Sequence, residues 1–189
     1  MLKKYYIVGY GTLLYAESLQ KTIGESVRQK KYIPVIIKGF KRLFNVLPAH
    51  YKPSYKITEL PYEKAAANVI LSETDMLNGL AFEVSEKEIN DLDNRERSYQ
   101  RCKAKMFDFK TGEFMGYGFI YSAAMDSKHV TEDTRFLPDW EDIAFARTGA
   151  YRYGKSFGQT YDTTTFLVDG VTRVIDYYKD YIEELNLDK

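Results

Sequence analysis

The sequence has few residues that could staple it together covalently or through a metal. One cysteine, Cys102, stands among 189 residues, and a single thiol can form neither an internal disulfide nor a multi-cysteine zinc or iron–sulfur site. This usage is typical of a reducing compartment, so we expect a cytoplasmic protein. With 44% hydrophobic residues, the chain is long enough to bury roughly 70% of the surface that it exposes when unfolded.

Net charge and long apolar runs are also lacking. Twenty-seven basic and 27 acidic side chains give a formal charge of zero, so no global field attracts nucleic acid or anionic lipid. No apolar run is long enough to span a bilayer. Met1-Leu2-Lys3-Lys4 has the basic character of a signal peptide, but Gly9 and Gly11 interrupt the apolar stretch that follows. We therefore expect no signal peptide, no membrane partner and no nucleic-acid partner.

Metal ligands are scarce as well. There are two histidines and no ordered carboxylate cluster, so we expect no catalytic metal and no other cofactor. Lys38, Lys41 and Arg42 alternate with aromatic residues, which is compatible with a nucleic-acid-binding strand or with a half-buried strand that has a charged outer face. The zero net charge favours the second interpretation.

Strands predominate in the hydrophobic pattern. Apolar runs rich in branched and aromatic residues predict strands at 5–8, 35–44, 66–71, 77–84, 101–109 and 117–122. Residues 110–113 have the glycine and polar content of a hairpin connection. No repeat or linker divides the chain, so we expect one domain over 1–189. The fold class is mixed α+β, with a mostly antiparallel sheet or small barrel flanked by helices.

Two helices stand out between and after these strands. Ser85-Glu86-Lys87-Glu88 has the pattern of a capping box, which predicts a helix that runs to about Glu96. Near the C-terminus, Val171, Val174, Ile175, Tyr178, Ile182 and Leu185 recur at helical spacing after a candidate cap, Asp169. We expect a helical extension at about 165–189.

The segment Tyr10-Gly11-Thr12-Leu13 is the first candidate for chemistry, because it follows the first strand directly. Glycine lets backbone amides approach a ligand closely, so the segment can form a small nest for a carboxylate or an oxyanion. The alternative is an ordinary turn.

Glu96 is the second candidate. It shares a helical face with Ile89 and Leu92, and burial of a carboxylate raises its pKa toward the range useful for proton transfer. The alternative is a carboxylate that pairs with Arg95, Arg97 or Arg101, or that lies in water.

Cys102 is a weaker candidate. Neither His50 nor His129 lies in a motif that would activate it as a nucleophile, and the alternating strand pattern around it favours a buried structural thiol.

These segments together resemble the gamma-glutamylcyclotransferases, including the gamma-glutamylamine cyclotransferase branch. The resemblance covers residues 5–150 and is carried by Tyr10-Gly11-Thr12-Leu13, Gly39-Phe40, Arg42, Phe44-Asn45, Ala67-Asn68-Val69, Asn78-Gly79-Leu80, Phe82-Glu83-Val84, Leu92-Asp93-Asn94-Arg95-Glu96, Tyr99, Arg101, Tyr121, Pro138, Ile143 and Gly149-Ala150. It implies a small barrel flanked by helices and a reaction in which the α-amino group of a γ-glutamyl compound attacks its own γ-carbonyl. The products are 5-oxoproline and a free amine.

The resemblance also implies roles for single residues. Glu96 would be the general base and acid, and the backbone amides from Tyr10 to Leu13 would hold the substrate. Tyr99, Arg101 and Tyr121 would line the pocket. A non-catalytic module that binds a small metabolite or a protein through the same fold is the alternative function.

The chain also departs from the simplest members of the family. The segment 47–64, with its three prolines, and the tail after Ala150 are additions that would reshape the pocket. The sequence leaves open the substrate, its leaving group and whether the chain forms a homodimer.

Overall fold

The computed structural model describes residues 5–47 and 63–180. The strands are β1 (Tyr5–Gly9), β2 (Ile33–Val46), β3 (Glu63–Val84), β4 (Gln100–Asp108), β5 (Phe114–Ser122), β6 (Phe136–Pro138) and β7 (Thr165–Phe166). The helices are α1 (Ala16–Ile23), α2 (Glu86–Arg95), α3 (Trp140–Tyr151), α4 (Lys155–Thr163) and α5 (Val174–Tyr177), with 3-10 turns at Thr12–Leu14 and Gly24–Gln29. The predicted mixed α+β class is confirmed.

Five of the strands close into a ring. Strand β3 pairs antiparallel with β1 and with β2, β4 pairs antiparallel with β2 and β5, and β1 meets β5 in parallel at Ile7 and Phe119. The short strands β6 and β7 extend β3 and β2 in parallel on the outside of this ring. The mostly antiparallel small barrel is therefore as the sequence predicts.

Apolar side chains fill the ring and cover its outside. Val35, Ile37, Leu77 and Ile120 are fully buried in one cluster that also contains Val8. A second cluster joins α1 and α2 to the sheet and includes Ile7, Leu19, Phe82, Ile89 and Leu92. The apolar face of α2 thus packs on the barrel, which fixes where the helix ends.

The two strands predicted at 66–71 and 77–84 are a single strand, β3. The polar run from Ser72 to Asp75 is typical of a break, but it forms a bulge instead: Lys38 pairs with Met76 while Phe40 pairs with Leu71. Gly39 lies opposite this bulge with a φ of 87°, a conformation that suits glycine. The strand therefore continues through the polar residues.

The predicted position of Arg42 on the charged outer face of its strand was wrong. Its guanidinium is fully buried, donates to the carbonyl and side-chain oxygens of Asn78 at 2.6 and 2.8 Å and to Thr165 Oγ1 at 3.2 Å, and lies over the Tyr161 ring. Burial lowers the pKa of Arg42 to about 10, so it stays charged at neutral pH. Only Lys38 of the predicted trio is exposed.

The C-terminal helix begins later than its apolar spacing predicts. Asp169 accepts hydrogen bonds from the amides of Val171 and Thr172 and so holds a turn, while α5 begins at Val174. Val171 is consequently 80% exposed. Ile182 and Leu185 lie outside the described residues.

None of the helices that the structure describes is long and apolar enough to cross a membrane.

Candidate active site

A cavity of about 300 Å³ lies where the turn after β1, the end of α2 and the start of α3 meet. Its lining includes Tyr10, Gly11, Thr12, Leu13, Glu96, Tyr99 and Tyr121. The structure thus brings together every candidate site residue of the sequence except Arg101.

The turn that lines the cavity is held by close backbone approaches. A Cβ at Gly9 would lie 2.8 Å from the Cβ of Leu13, and one at Gly149 would lie 2.4 Å from the carbonyl oxygen of Leu14. Glycine is therefore required at both positions. Inside the turn, the Leu14 amide donates to the Gly11 carbonyl at 2.9 Å. The first amides of such a turn have no acceptor within it, so they are the natural donors for a ligand.

Glu96 caps the C-terminal end of α2. Its amide donates to the carbonyl of Leu92 at 2.8 Å, and its side chain is 17% exposed and contacts Arg95, with 3.1 Å between Oε1 and Nε. Burial raises the pKa of Glu96 above its usual value, and the nearby Arg95 opposes but does not cancel this effect. The carboxylate is therefore paired and in the cavity at once, and it releases its proton closer to neutral pH than an ordinary glutamate.

Arg95 is fixed by contacts other than Glu96. Its guanidinium donates to the carbonyl and hydroxyl of Ser18 at 2.9 and 3.0 Å, to Thr22 Oγ1 at 2.9 Å and to Thr12 Oγ1 at 3.4 Å. This fork ties α1 and the turn to the end of α2. Because Arg95 is committed to these acceptors, it cannot turn fully toward Glu96.

Three tyrosines form a rigid part of the wall. Tyr10 donates its hydroxyl to the carbonyl of Tyr121 at 2.7 Å, Tyr99 donates to the carbonyl of Ala67 at 2.7 Å, and Tyr121 donates to Asp93 at 2.8 Å. Burial raises the pKa of Tyr10, Tyr99 and Tyr121. All three therefore stay protonated and hold their backbone acceptors or Asp93.

Arg101 is not among the residues that line the cavity. Its Nε lies 2.9 Å from Asp93 Oδ1, the atom that also accepts from Tyr121, and its guanidinium lies over the ring of Phe119. Arg101 thus acts on the cavity wall only through Asp93. Cys102 is also outside the lining and packs half-buried against the barrel interior, as a structural thiol would.

Sequence reasoning missed Asp142. This residue lies in the first turn of α3 and lines the cavity. Its local pattern gave no signal, because an acid just after the cap residue Asp139 is typical of any helix N-terminus. Within the two described stretches of chain, no group of three or more histidine, cysteine or acidic residues could hold a metal ion.

The fold matches solved structures although the sequence has no detectable relative among those compared. No protein-family model and no curated protein matches the chain. A gamma-glutamyl cyclotransferase superposes with a TM-score of 0.63 and 14% identity over 96% of this chain and 99% of its own. An uncharacterized human protein gives 0.63 and 16% over 95% and 98%.

A third match bears on the same fold. A yeast gamma-glutamyl cyclotransferase specific to glutathione gives a TM-score of 0.57 and 13% identity over 86% of this chain and 97% of its own. The resemblance that the motifs carry is thereby confirmed at the level of architecture. This chain has the fold of the gamma-glutamyl cyclotransferases.

Proposed function

We propose that this protein is a cyclotransferase that converts a γ-glutamyl amide into 5-oxoproline and a free amine, with Glu96 as general base and acid. The observation that carries the proposal is the position of Glu96. Its carboxylate is largely buried, has a raised pKa, and lines the same cavity as the turn from Tyr10 to Leu13. One proton-transfer group and one set of backbone donors are what the reaction needs.

The reaction asks little of a protein, because the nucleophile and the electrophile belong to one molecule. The α-ammonium of the substrate gives a proton to Glu96, and the free amine attacks the γ-carbonyl carbon to form the new carbon–nitrogen bond. The ring nitrogen then gives up a further proton, the bond to the leaving nitrogen breaks, and that nitrogen receives a proton from Glu96. The protein contributes mainly by folding the substrate into the geometry of attack.

The raised pKa of Glu96 supports both halves of this role. A general base works best when its pKa lies near the working pH, because it then accepts a proton readily and returns it readily. Burial moves Glu96 in that direction, and Arg95 keeps part of its population ionised.

The amides of the turn supply the second requirement. Charge develops on the carbonyl oxygen as the amine attacks, and preorganised backbone donors stabilise such an oxyanion. Gly9 and Gly149 hold the turn too tightly for it to relax away from the substrate. Gly11, Thr12 and Leu13 are therefore the proposed oxyanion and substrate-binding residues.

The test is release of 5-oxoproline from a panel of γ-glutamyl amino acids, γ-glutamyl amines and glutathione. We expect the native protein to turn over at least one class and Glu96→Gln to lose the activity while it keeps its fold by circular dichroism. Glu86→Gln is the matched control, since Glu86 is an exposed acid in the first turn of the same helix.

The outcomes separate the proposal from its rival. Full activity in Glu96→Gln would refute the mechanism. A panel compound that binds in calorimetry and is recovered unchanged would instead support a non-catalytic module that binds a small metabolite.

A further inference from the structure

The cavity contains a second carboxylate, which the proposed mechanism does not use. Asp142 lines the wall that α3 contributes, whereas Glu96 lines the wall at the end of α2. In residues 5–47 and 63–180, no side chain forms a hydrogen bond or an ion pair with the carboxylate of Asp142. A cavity carboxylate without such a partner has a vacant acceptor for a ligand.

The charged groups around Asp142 do not neutralise it. The neighbouring acids Asp139 and Glu141, together with burial, raise the pKa of Asp142, while Lys64 and Arg95 lower it to a smaller extent. Both of these cations are engaged elsewhere: Lys64 contacts Asp139, and Arg95 contacts Glu96 and α1. The local field around Asp142 is therefore negative and favours a cation from outside the chain.

Asp142 and Glu96 occupy different parts of the cavity. Both carboxylates raise the pKa of Tyr99, but neither acts on the pKa of the other. The Tyr99 hydroxyl, which is fixed on the carbonyl of Ala67, thus lies between them. An α-ammonium next to Glu96 leaves Asp142 free for another part of the same substrate.

On the basis of the proposed function, we infer that Asp142 binds a positively charged group on the leaving amine. The preferred substrate class is then a γ-glutamyl amide of a diamine, in which one nitrogen is acylated and the other is an ammonium. An amide whose leaving amine ends in a carboxylate is disfavoured, because a like charge opposite a partly buried carboxylate is repelled. Asp142 is a specificity-determining residue that takes no part in the chemistry.

Three probes of equal length test this assignment. They are the γ-glutamyl amides of diaminobutane, pentylamine and aminovalerate, which place an ammonium, a methyl group or a carboxylate at the same distance from the scissile bond. The measurement is kcat/KM for release of 5-oxoproline by the native protein, by Asp142→Asn and by the control Glu141→Gln. Glu141 is the exposed acid next to Asp142 and is not among the lining residues.

We expect the native protein to prefer the cationic probe over the neutral probe by about tenfold or more, the usual worth of a hydrogen bond to a charged group. Asp142→Asn should remove that preference and leave turnover of the neutral probe nearly unchanged. Glu141→Gln should keep the preference. Asp142→Lys should reverse the order and favour the anionic probe.

The failure of this inference differs from the failure of the proposed function. If the native protein releases 5-oxoproline but treats the cationic and neutral probes alike, or if Asp142→Asn keeps the preference, the assignment of Asp142 is overturned and the cyclotransferase stands. If no probe and no member of the wider panel yields 5-oxoproline, both fail together.

Discussion

The two ends of helix α2 each carry a glutamate, and their surroundings differ sharply. At the first turn, Glu88 accepts from the amide and hydroxyl of Ser85 at 2.8 and 3.0 Å, from Ser26 at 2.7 Å and from Lys30 at 3.0 Å. At the last turn, Glu96 has a single ionic partner, Arg95. The helix thus has one fully bonded carboxylate and one that is underbonded.

This difference moves the two pKa values in opposite directions. Burial acts to raise the pKa of Glu88, but the bonds from Ser26, Ser85 and Lys30 outweigh it and lower the pKa to about 2. Burial also raises the pKa of Glu96, and there Arg95 alone does not outweigh it. The number of donors around a buried carboxylate therefore decides whether it stabilises the fold or stays available for proton transfer.

Exchanging each glutamate for glutamine is the strongest way to break this comparison. Glu96→Gln should lower kcat by about a thousandfold, because removing a general acid–base group costs that order of rate. Glu88→Gln should leave kcat within about twofold and reduce the free energy of unfolding by about 1–2 kcal/mol, because Lys30 and Ser26 lose an ionised acceptor. Steady-state kinetics and urea unfolding of both variants check this, and similar kinetic losses in the two would contradict it.

Gly11 tests whether Glu96 works together with the turn. A Cβ at this position would lie 3.2 Å from the Cβ of Ala67, so Gly11→Val should push the turn out of place and lower kcat/KM by about tenfold. Gly11→Ala combined with Ala67→Gly is the control, since it removes the crowding and should restore most of the activity. Unchanged kinetics in Gly11→Val would remove the turn from the site.

Arg95 sharpens the comparison, because it is the cation that holds the pKa of Glu96 down. Arg95→Met should raise that pKa further and move the acidic limb of the kcat/KM profile to higher pH. Activity should therefore fall several-fold on the acidic side and less at alkaline pH. Thr22→Val, which removes one contact of Arg95 but keeps its charge, should leave the limb in place. A limb that does not move in Arg95→Met would show that it belongs to another group.

The smallest expected effect is a difference in the pH dependence of stability. The folded pKa of Glu96 is above its usual value of 4.5, so its contribution to folding is complete below that pH and is lost as pH rises through the folded value. Glu88 has the opposite sign, with a contribution that is present above pH 4.5 and lost as pH falls toward about 2. Glutamine cannot ionise and mimics the protonated acid.

The stability of Glu96→Gln minus that of the native protein should therefore grow as pH rises from about 5 to 8, by about 1 kcal/mol. For Glu88→Gln the same difference should become more negative over the interval from low pH upward. Urea unfolding across a pH series measures both curves, and slopes of equal sign would contradict the contrast between the two ends.

The features that sequence predicted are those whose signal lies within a few residues. The capping box at Ser85 and Glu88, the apolar spacing that aims Glu96 at the core, and the abrupt end of β1 at Gly9 are each local patterns. The barrel followed because alternation predicts its strands one at a time. Even the error at β3 was local, because a polar bulge and a loop have the same composition.

The features that sequence did not predict depend on partners far along the chain. Arg42 is buried because Asn78 and Thr165 supply acceptors 36 and 123 residues away. Asp142 lies in the cavity because α3 returns to the turn after β1, and nothing in its own helix distinguishes it from a solvent-facing acid. Such placements come from tertiary packing, which no short pattern encodes.

Helix α3 touches the site at two points, and this limits how substrate preference can change. Asp142 and Ala146 line the cavity, while Gly149, further along the same helix, lies against the carbonyl of Leu14 with no space for even a methyl group. A rotation or shift of α3 that moved Asp142 would therefore also displace the turn that binds the substrate. Variants with new substrate preferences should arise by exchange of side chains at positions 142 and 146 on a helix that stays in place.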